Sequence, residues 1–192
     1  MAFKDVAGNV RIKRILKLAL ERGRVPNSLI FCGPEGVGKK DMALTLAKAL
    51  NCLNPASDAC DACDSCAAVD KGAHPDVMVI AAEKQEIKIE QIRLLKDLAT
   101  LRPMTGRKRV FIVEDAETMS DAAAGALLKV LEEPPPHAHI VLVTASPFLL
   151  FPTIRSRCQT LAFAAVGREE IEEILLERDF DREQARIMAL LV

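Results

Sequence analysis

The stretch that most constrains the fold is the glycine-rich segment at residues 33–40, which reads GPEGVGKK. It follows an apolar run at residues 28–32 and precedes a helix-forming stretch at residues 41–50. A strand that feeds a glycine-rich turn and then a helix is the context that a phosphate-binding loop requires. The sequence therefore predicts a phosphate-binding strand–loop–helix unit near the amino terminus.

The loop carries most of the residues that such a site uses. Gly33, Gly36 and Gly38 allow the backbone to turn its N–H groups inward, and Lys39 adds a positive charge beside the dipole of the next helix. The last position of the pattern, where Ser or Thr ligates magnesium, is occupied by Lys40. We therefore expect a loop that can hold phosphate but is poorly equipped for metal-assisted hydrolysis. A glycine-rich turn without a ligand is the alternative.

Strand-like apolar runs alternate with helical patterns along the chain. The runs lie at residues 28–32, 76–81, 109–113, 139–144 and 161–163, and the helical patterns at residues 10–22, 41–50, 89–101 and 122–131. This alternation predicts an α/β fold, a parallel sheet flanked by helices on both faces.

The composition bounds the function classes. Half of the 192 residues are apolar, which predicts one main globular domain, and a net charge of −1 gives no general attraction to nucleic acid or membrane. The amino terminus lacks the apolar core of a signal peptide, and no apolar run has the length of a membrane span. We therefore expect a cytoplasmic protein without membrane contact.

Four of the six cysteines lie within 15 residues. Cys52, Cys60, Cys63 and Cys66 follow the spacing C-x7-C-x2-C-x2-C, which suits a closed tetrahedral zinc site. Four protein ligands leave no open position for water, so the zinc would be structural and would order an otherwise irregular loop at residues 54–72. Free or oxidised thiols and an iron–sulfur cluster are the alternatives.

Polar residues also follow the later strands. Glu114 and Asp115 end the third apolar run, where phosphate-loop ATPases place an acid pair in the order Asp then Glu. The inverted order leaves either a residual metal role or two solvated acids. Thr144 ends the fourth run and either faces a γ-phosphate or is a strand-forming residue. Arg157, taken alone, is typical of a solvated surface arginine.

Several segments together resemble the clamp-loader branch of the AAA+ family. They are GPEGVGKK, the four-cysteine insert, RVFIVEDAETMSDAAAGALLKVLEEPPP and FPTIRSRCQTLAF, with LLKxLEEPP and the SRC triplet as the most specific signals. The resemblance runs from about Phe3 to Phe163. It implies a subunit of a ring that loads a sliding clamp on primed DNA beside gamma/tau and delta subunits, and it implies that Arg157 is an arginine finger for ATP held by a neighbour.

Departures from the family pattern favour a non-hydrolysing ring member. Lys40 and the order Glu114-Asp115 differ from the gamma/tau motor subunit, which is the alternative identity, and they leave open whether ATP binds at all. The resemblance further implies an ATPase-like domain over residues 1–165 with a zinc insert at about 52–72. Residues 166–192 would begin a helical lid, and a helical collar would lie outside this chain. The apolar pattern of Ile187, Leu190 and Leu191 would need a partner to cover it.

Overall fold

The computed structural model describes residues 2–54, 58–176 and 180–189. Its centre is a five-stranded sheet in the order β2-β3-β4-β1-β5, with every neighbouring pair parallel. The strands are β1 (Ser28–Cys32), β2 (Val77–Ile80), β3 (Arg109–Val113), β4 (Ala138–Thr144) and β5 (Gln159–Ala162). The predicted parallel α/β fold is confirmed.

The helices lie at the predicted positions, and some short helices that the sequence pattern did not predict are also present. They are α1 (Val10–Glu21), α2 (Lys39–Asn51), α3 (Asp64–Asp70), α4 (Ile89–Thr100), α5 (Asp121–Glu132), α6 (Pro152–Arg155), α7 (Arg168–Leu176) and α8 (Arg182–Met188). Helix α3 corrects the expectation that residues 54–72 are irregular throughout, because Asp64–Asp70 forms two turns within that stretch. Among the described residues, no helix is both long and apolar enough to cross a membrane.

Alternating residues of the strands supply two cores, one on each face of the sheet. Leu29, Phe31 and Val141 pack with α1 and α2, whereas Ile30 and Ile140 pack with α4, α5 and α6. Every residue of β1, β3 and β4 is buried, as expected for central parallel strands covered on both faces. The sheet thus holds the carboxyl ends of β1, β3 and β4 at one rigid edge.

Helices α7 and α8 pack against each other after the last strand. Ala185 on α8 is fully buried, while Ile187 on the same helix is half exposed. Leu190 and Leu191, which complete the predicted apolar pattern, lie outside the described residues.

Candidate functional site

The glycine-rich loop at residues 33–38, which the sequence predicts to bind phosphate and which is called the phosphate loop below, lies between the end of β1 and the start of α2. Gly33 has φ 146°, and a Cβ there would lie 2.3 Å from the carbonyl oxygen of Phe163, so only glycine fits between β1 and the segment after β5. Gly38 has φ 80° and ends the loop one residue before Lys39 begins α2. The sequence therefore forms the strand–loop–helix turn because glycine stands where a side chain would clash or strain the backbone.

Lys39 is folded onto the loop that carries it. Its side chain is nearly buried, and its ammonium donates to the carbonyl oxygens of Gly33 at 2.6 Å and Pro34 at 2.5 Å. A phosphate group that entered the loop would have to compete with these carbonyls for the ammonium.

Lys40 makes the contact that differs most from the arrangement expected in a magnesium–nucleotide site. Its ammonium lies 2.7 Å from Oε1 of Glu114 at the carboxyl end of β3, and the pair is an ion pair without well-aligned hydrogen-bond geometry. The Glu114 side chain is 17% exposed, so the pair is partly shielded from water. A positive charge thus stands beside the acid that would otherwise face a metal ion.

A cavity of about 280 Å³ collects most of the predicted phosphate-site residues. Its lining residues are Glu35, Gly36, Gly38, Lys39, Lys40, Asp41, Glu114, Asp115 and Val143. Four of them carry a carboxylate and two carry an ammonium group, and one of these carboxylates, that of Glu114, is paired with Lys40. Gly33 closes the base of the loop and does not line the cavity.

Thr144 lies next to the loop, with its hydroxyl already engaged. It is fully buried at the end of β4, and its Oγ1 accepts a hydrogen bond from the Ser146 backbone N–H at 3.0 Å. Its carbonyl oxygen accepts from the Gly33 backbone N–H at 3.3 Å. Thr144 therefore holds the first residue of the loop through a backbone hydrogen bond, while its hydroxyl is engaged by Ser146.

Arg157 lies away from the phosphate cavity. It comes two residues before β5, and because β5 is parallel to β1, it stands toward the amino edge of the sheet while the loop stands at the carboxyl edge. Its Nη2 donates to Oε1 of Glu132 at 2.7 Å, and its Nη1 donates to the carbonyl oxygen of Thr153 at 2.9 Å. The sheet thus separates Arg157 from the phosphate loop of its own chain.

The four cysteines of the insert converge on one point. The Sγ atoms of Cys52, Cys60, Cys63 and Cys66 all lie within 4.8 Å of one another, and those of Cys52 and Cys63 are 4.0 Å apart. A tetrahedral zinc site with Zn–S bonds of about 2.3 Å places its sulfurs about 3.8 Å apart. The donor set and its spacing therefore fit a structural metal ion.

The thiols differ in their environments. A backbone hydrogen bond from Ala62 lowers the pKa of Cys60 to about 6, whereas burial raises the pKa of Cys66 to about 12 and also raises that of Cys52. The pKa of Cys63 is lowered, because backbone hydrogen bonds outweigh the opposing effect of burial. A metal that bound all four as thiolates would have to displace protons from the two buried sulfurs.

His74, which is near the insert in sequence, makes hydrogen bonds through both ring nitrogens. Its Nε2 lies 3.1 Å from Ser65 Oγ, and its Nδ1 accepts from the Asp76 backbone N–H at 3.1 Å. The ring therefore ties α3 to the segment that enters β2.

Sequence reasoning missed the residue that anchors the insert to α2. Lys48 is 1% exposed, and its ammonium pairs with Asp61 and with Asp70, the latter at 2.8 Å. Burial alone would lower the pKa of Lys48, but the hydrogen bonds to Asp61 and Asp70 raise it above its ordinary value. Lys48 lies outside the apolar face of α2, so the periodicity gave no sign that it is buried.

A second missed residue, Asp76, organises the loop before β3. Its carboxylate accepts from the backbone N–H groups of Met104, Thr105 and Gly106 at 2.7–2.9 Å. Burial acts to raise the pKa of Asp76, but these bonds and the charge of Arg109 outweigh it and hold the pKa below its usual range. An aspartate before an apolar strand carries no sequence signal for such a role.

Comparisons with known proteins give consistent results. The profile of a family described as "DNA polymerase III, delta subunit" matches residues 8–167. The DNA polymerase III subunit delta' of Bacillus subtilis is 36% identical over 179 residues, which are 93% of this chain and 54% of that protein. The DNA polymerase III subunit gamma/tau of Mycobacterium tuberculosis is 35% identical over 176 residues, which are 91% of this chain and 30% of that protein. The chain therefore spans about half or less of these relatives.

Solved structures give the same picture. A DNA polymerase III gamma subunit-related protein of Thermotoga maritima matches with a TM-score of 0.58 and 25% identity, covering 95% of this chain and 57% of that chain. The RuvB Holliday junction branch migration motor of the same organism matches with a TM-score of 0.62 and 20% identity, covering 95% of this chain and 56% of that chain. The second match is one of fold alone.

Proposed function

The chain belongs to the DNA polymerase III delta subunit family, and from this membership we propose that it is a delta-prime-like, largely non-hydrolysing subunit of the clamp loader. Its fold is that of AAA+ proteins. In this proposal the subunit sits in a ring with gamma/tau and delta subunits, and the ring opens a sliding clamp and loads it on primed DNA in the cytoplasm. Little chemistry takes place at its own phosphate loop.

The ion pair between Lys40 and Glu114 is the observation that carries the non-hydrolysing role. Metal-assisted hydrolysis needs a hydroxyl and an acid that together place magnesium beside the β- and γ-phosphates. Here the ammonium of Lys40 replaces the hydroxyl and pairs with the carboxylate of Glu114. The site therefore lacks one magnesium ligand, and the other is engaged. Lys39 and the glycines can still cradle phosphate, and ATP binding without turnover is compatible with this arrangement.

Arg157 is the proposed contribution to a neighbour. Its position at the amino edge of the sheet, away from its own phosphate loop, supports a role toward ATP held by another subunit. Negative charge develops on the transferred phosphoryl group during hydrolysis, and a guanidinium supplied from outside stabilises it. Arginine suits this role because its charge is permanent and its donors form a planar fork.

A gamma/tau-type ATPase is the second candidate. The glycine pattern and Lys39 are intact, and the chain is 35% identical to a gamma/tau subunit, which favours this reading. Under it, the chain would hydrolyse magnesium-bound ATP in the assembled ring. The Lys40–Glu114 pair weighs against it.

The remaining parts of the proposal concern organisation. We assign residues 1–165 to the ATPase-like domain and residues 166–192, with α7 and α8, to the beginning of a helical lid. Zinc is the proposed metal of the cysteine cluster, because four thiolates in a closed tetrahedral set suit zinc better than the other common metals.

The test is a ring reconstituted from full-length subunits in which only Arg157 is changed to Ala. DNA-stimulated ATP turnover and clamp loading should fall, by less than the roughly 10³–10⁵ that one arginine finger contributes at a single site, since other sites keep their own fingers. The melting temperature of the variant subunit should stay close to that of the unmodified subunit. Unchanged loading together with a lowered melting temperature would make Arg157 a structural residue.

A further inference from the structure

Two different elements hold the guanidinium of Arg157. Nη2 donates to Oε1 of Glu132, the last residue of α5, at 2.7 Å, while Nη1 donates to the carbonyl oxygen of Thr153 in α6 at 2.9 Å. The Arg157 side chain is still 34% exposed. Nη1 also donates to Ser156 Oγ at 3.4 Å. Acceptors on two nitrogens of one planar group fix the plane of that group, and the N–H groups that they do not use can serve another acceptor.

The main chain at Glu132 is itself held in place. Val130 and Leu131, the two residues before it, are buried in the core on the α5 face of the sheet. The helix ends at Glu132, and three prolines at residues 134–136 follow. Proline fixes φ, so the main chain next to Glu132 has little conformational freedom, while the Glu132 side chain itself is 51% exposed. The buried helix end and the prolines together give the LEEPPP segment a physical role, which is to restrict the main chain that carries Glu132. The sequence alone did not reveal this role.

The neighbouring arginine is engaged differently. The guanidinium carbon of Arg155 lies 5.8 Å from the ring centroid of Phe148, and its Nε is buried. Arg155 is therefore committed to packing on its own chain, whereas Arg157 is held by polar contacts at the surface.

We propose that Glu132 is a positioning residue for Arg157, an inference that rests on the trans-acting role proposed above. A free arginine side chain carries about 2 kcal/mol of rotamer entropy, and a side chain already held in one geometry loses less of it on docking. The charges also alternate in the docked state, with the carboxylate, the guanidinium and the neighbour's phosphate in that order. Glu132 therefore holds the finger through Nη2 and leaves other N–H groups of the guanidinium for the phosphate.

The experiment uses full-length rings that carry Glu132→Ala, Glu132→Gln or the matched control Glu133→Ala, which changes an exposed acid at the same helix end. Glu132→Ala should lower the kcat of DNA-stimulated ATP turnover by about two- to fivefold, the range expected for an exposed ion pair, with KM for ATP unchanged. Glu132→Gln keeps an acceptor and should lose less. Glu133→Ala should behave as the unmodified ring.

A double-mutant cycle separates positioning from a general structural effect. If Glu132 acts through Arg157, then Glu132→Ala should cause no further loss in a ring that already carries Arg157→Ala. Equal losses in both backgrounds, an unchanged kcat in Glu132→Ala, or a raised kcat would each overturn the inference. An unchanged rate in Arg157→Ala alone would instead overturn the proposed function, so the two failures are distinguishable.

Discussion

Replacing Lys48 by Met should loosen the cysteine insert (residues 52–72) from α2 while the sheet stays folded. The Lys48 side chain is 1% exposed, and its ammonium pairs with Asp61 and Asp70 of the insert. Methionine keeps most of the apolar stem and removes the charge, so the change tests the ion pairs more than the packing.

The expected loss follows from the exposure of the two acids. Removing one partner of a fully buried ion pair costs about 3–5 kcal/mol. The side chains of Asp61 and Asp70 are 30% and 47% exposed, however, so water can solvate them once the ammonium is gone. Solvent screening reduces the expected loss to about 1–2 kcal/mol. For a domain of this size, that loss lowers the melting temperature by about 2–8 °C.

The assay is thermal unfolding of the metal-loaded chain, followed by circular dichroism, together with limited proteolysis of the insert. Lys71→Met is the matched control, since Lys71 lies in the insert and is exposed. The Lys48 variant should melt earlier than the control and be cleaved faster between residues 52 and 72. Equal melting temperatures and equal cleavage rates for the two variants would refute the argument that the buried ammonium anchors the insert.

Three further predictions concern the metal, the phosphate loop and Asp76. The chain should carry about one zinc ion, and Cys63→Ser should lower that content and speed proteolysis of the insert while sparing the sheet; zinc-free protein prepared without chelators would contradict this. Lys40→Thr should raise magnesium-dependent nucleotide affinity in a binding titration without creating turnover, and ATP hydrolysis by the unmodified chain that Lys39→Ala abolishes would show the site to be misassigned. Asp76→Asn should lower the melting temperature at neutral pH. The pKa of Asp76 is depressed in the folded state, so its contribution to the stability of the fold is full above the unfolded pKa of about 3.9 and is lost as pH falls through the folded pKa. The melting temperatures of the variant and the unmodified chain should therefore converge in acid. A difference between them that stays constant with pH would contradict the argument.

The sequence predicted the sheet well because its strands are buried and apolar. The runs at β1, β3 and β4 were placed within a residue or two, since a strand covered on both faces has nearly all its residues apolar. The glycine loop was likewise placed correctly, because a glycine such as Gly33 is required by close backbone contact with Phe163. The cysteine spacing also predicted the cluster, since ligands near in sequence need little tertiary information to meet.

Contacts between distant polar residues could not be predicted in this way. The pairing of Lys40 with Glu114, and that of Arg157 with Glu132, joins segments that meet only through the sheet topology. Lys48 was missed because its partners, Asp61 and Asp70, lie far from it in the sequence, and a lysine on a helix usually indicates a solvated surface. The order of strands in the sheet, with β3 and β4 between β1 and β2, was also beyond what periodicity reveals.

The position of the insert in the chain has a consequence for the edge of the sheet. From β1 the chain must move sideways by three strand spacings, about 14 Å, to reach β2. Helix α2 contacts β1, β4 and β3 and covers part of this crossover, and the insert completes it and delivers the chain to the outermost strand. Stripping the metal should therefore accelerate amide hydrogen exchange first in Val77–Ile80, well before the central strands. Excising residues 52–72 would require a spacer long enough to complete the same crossover.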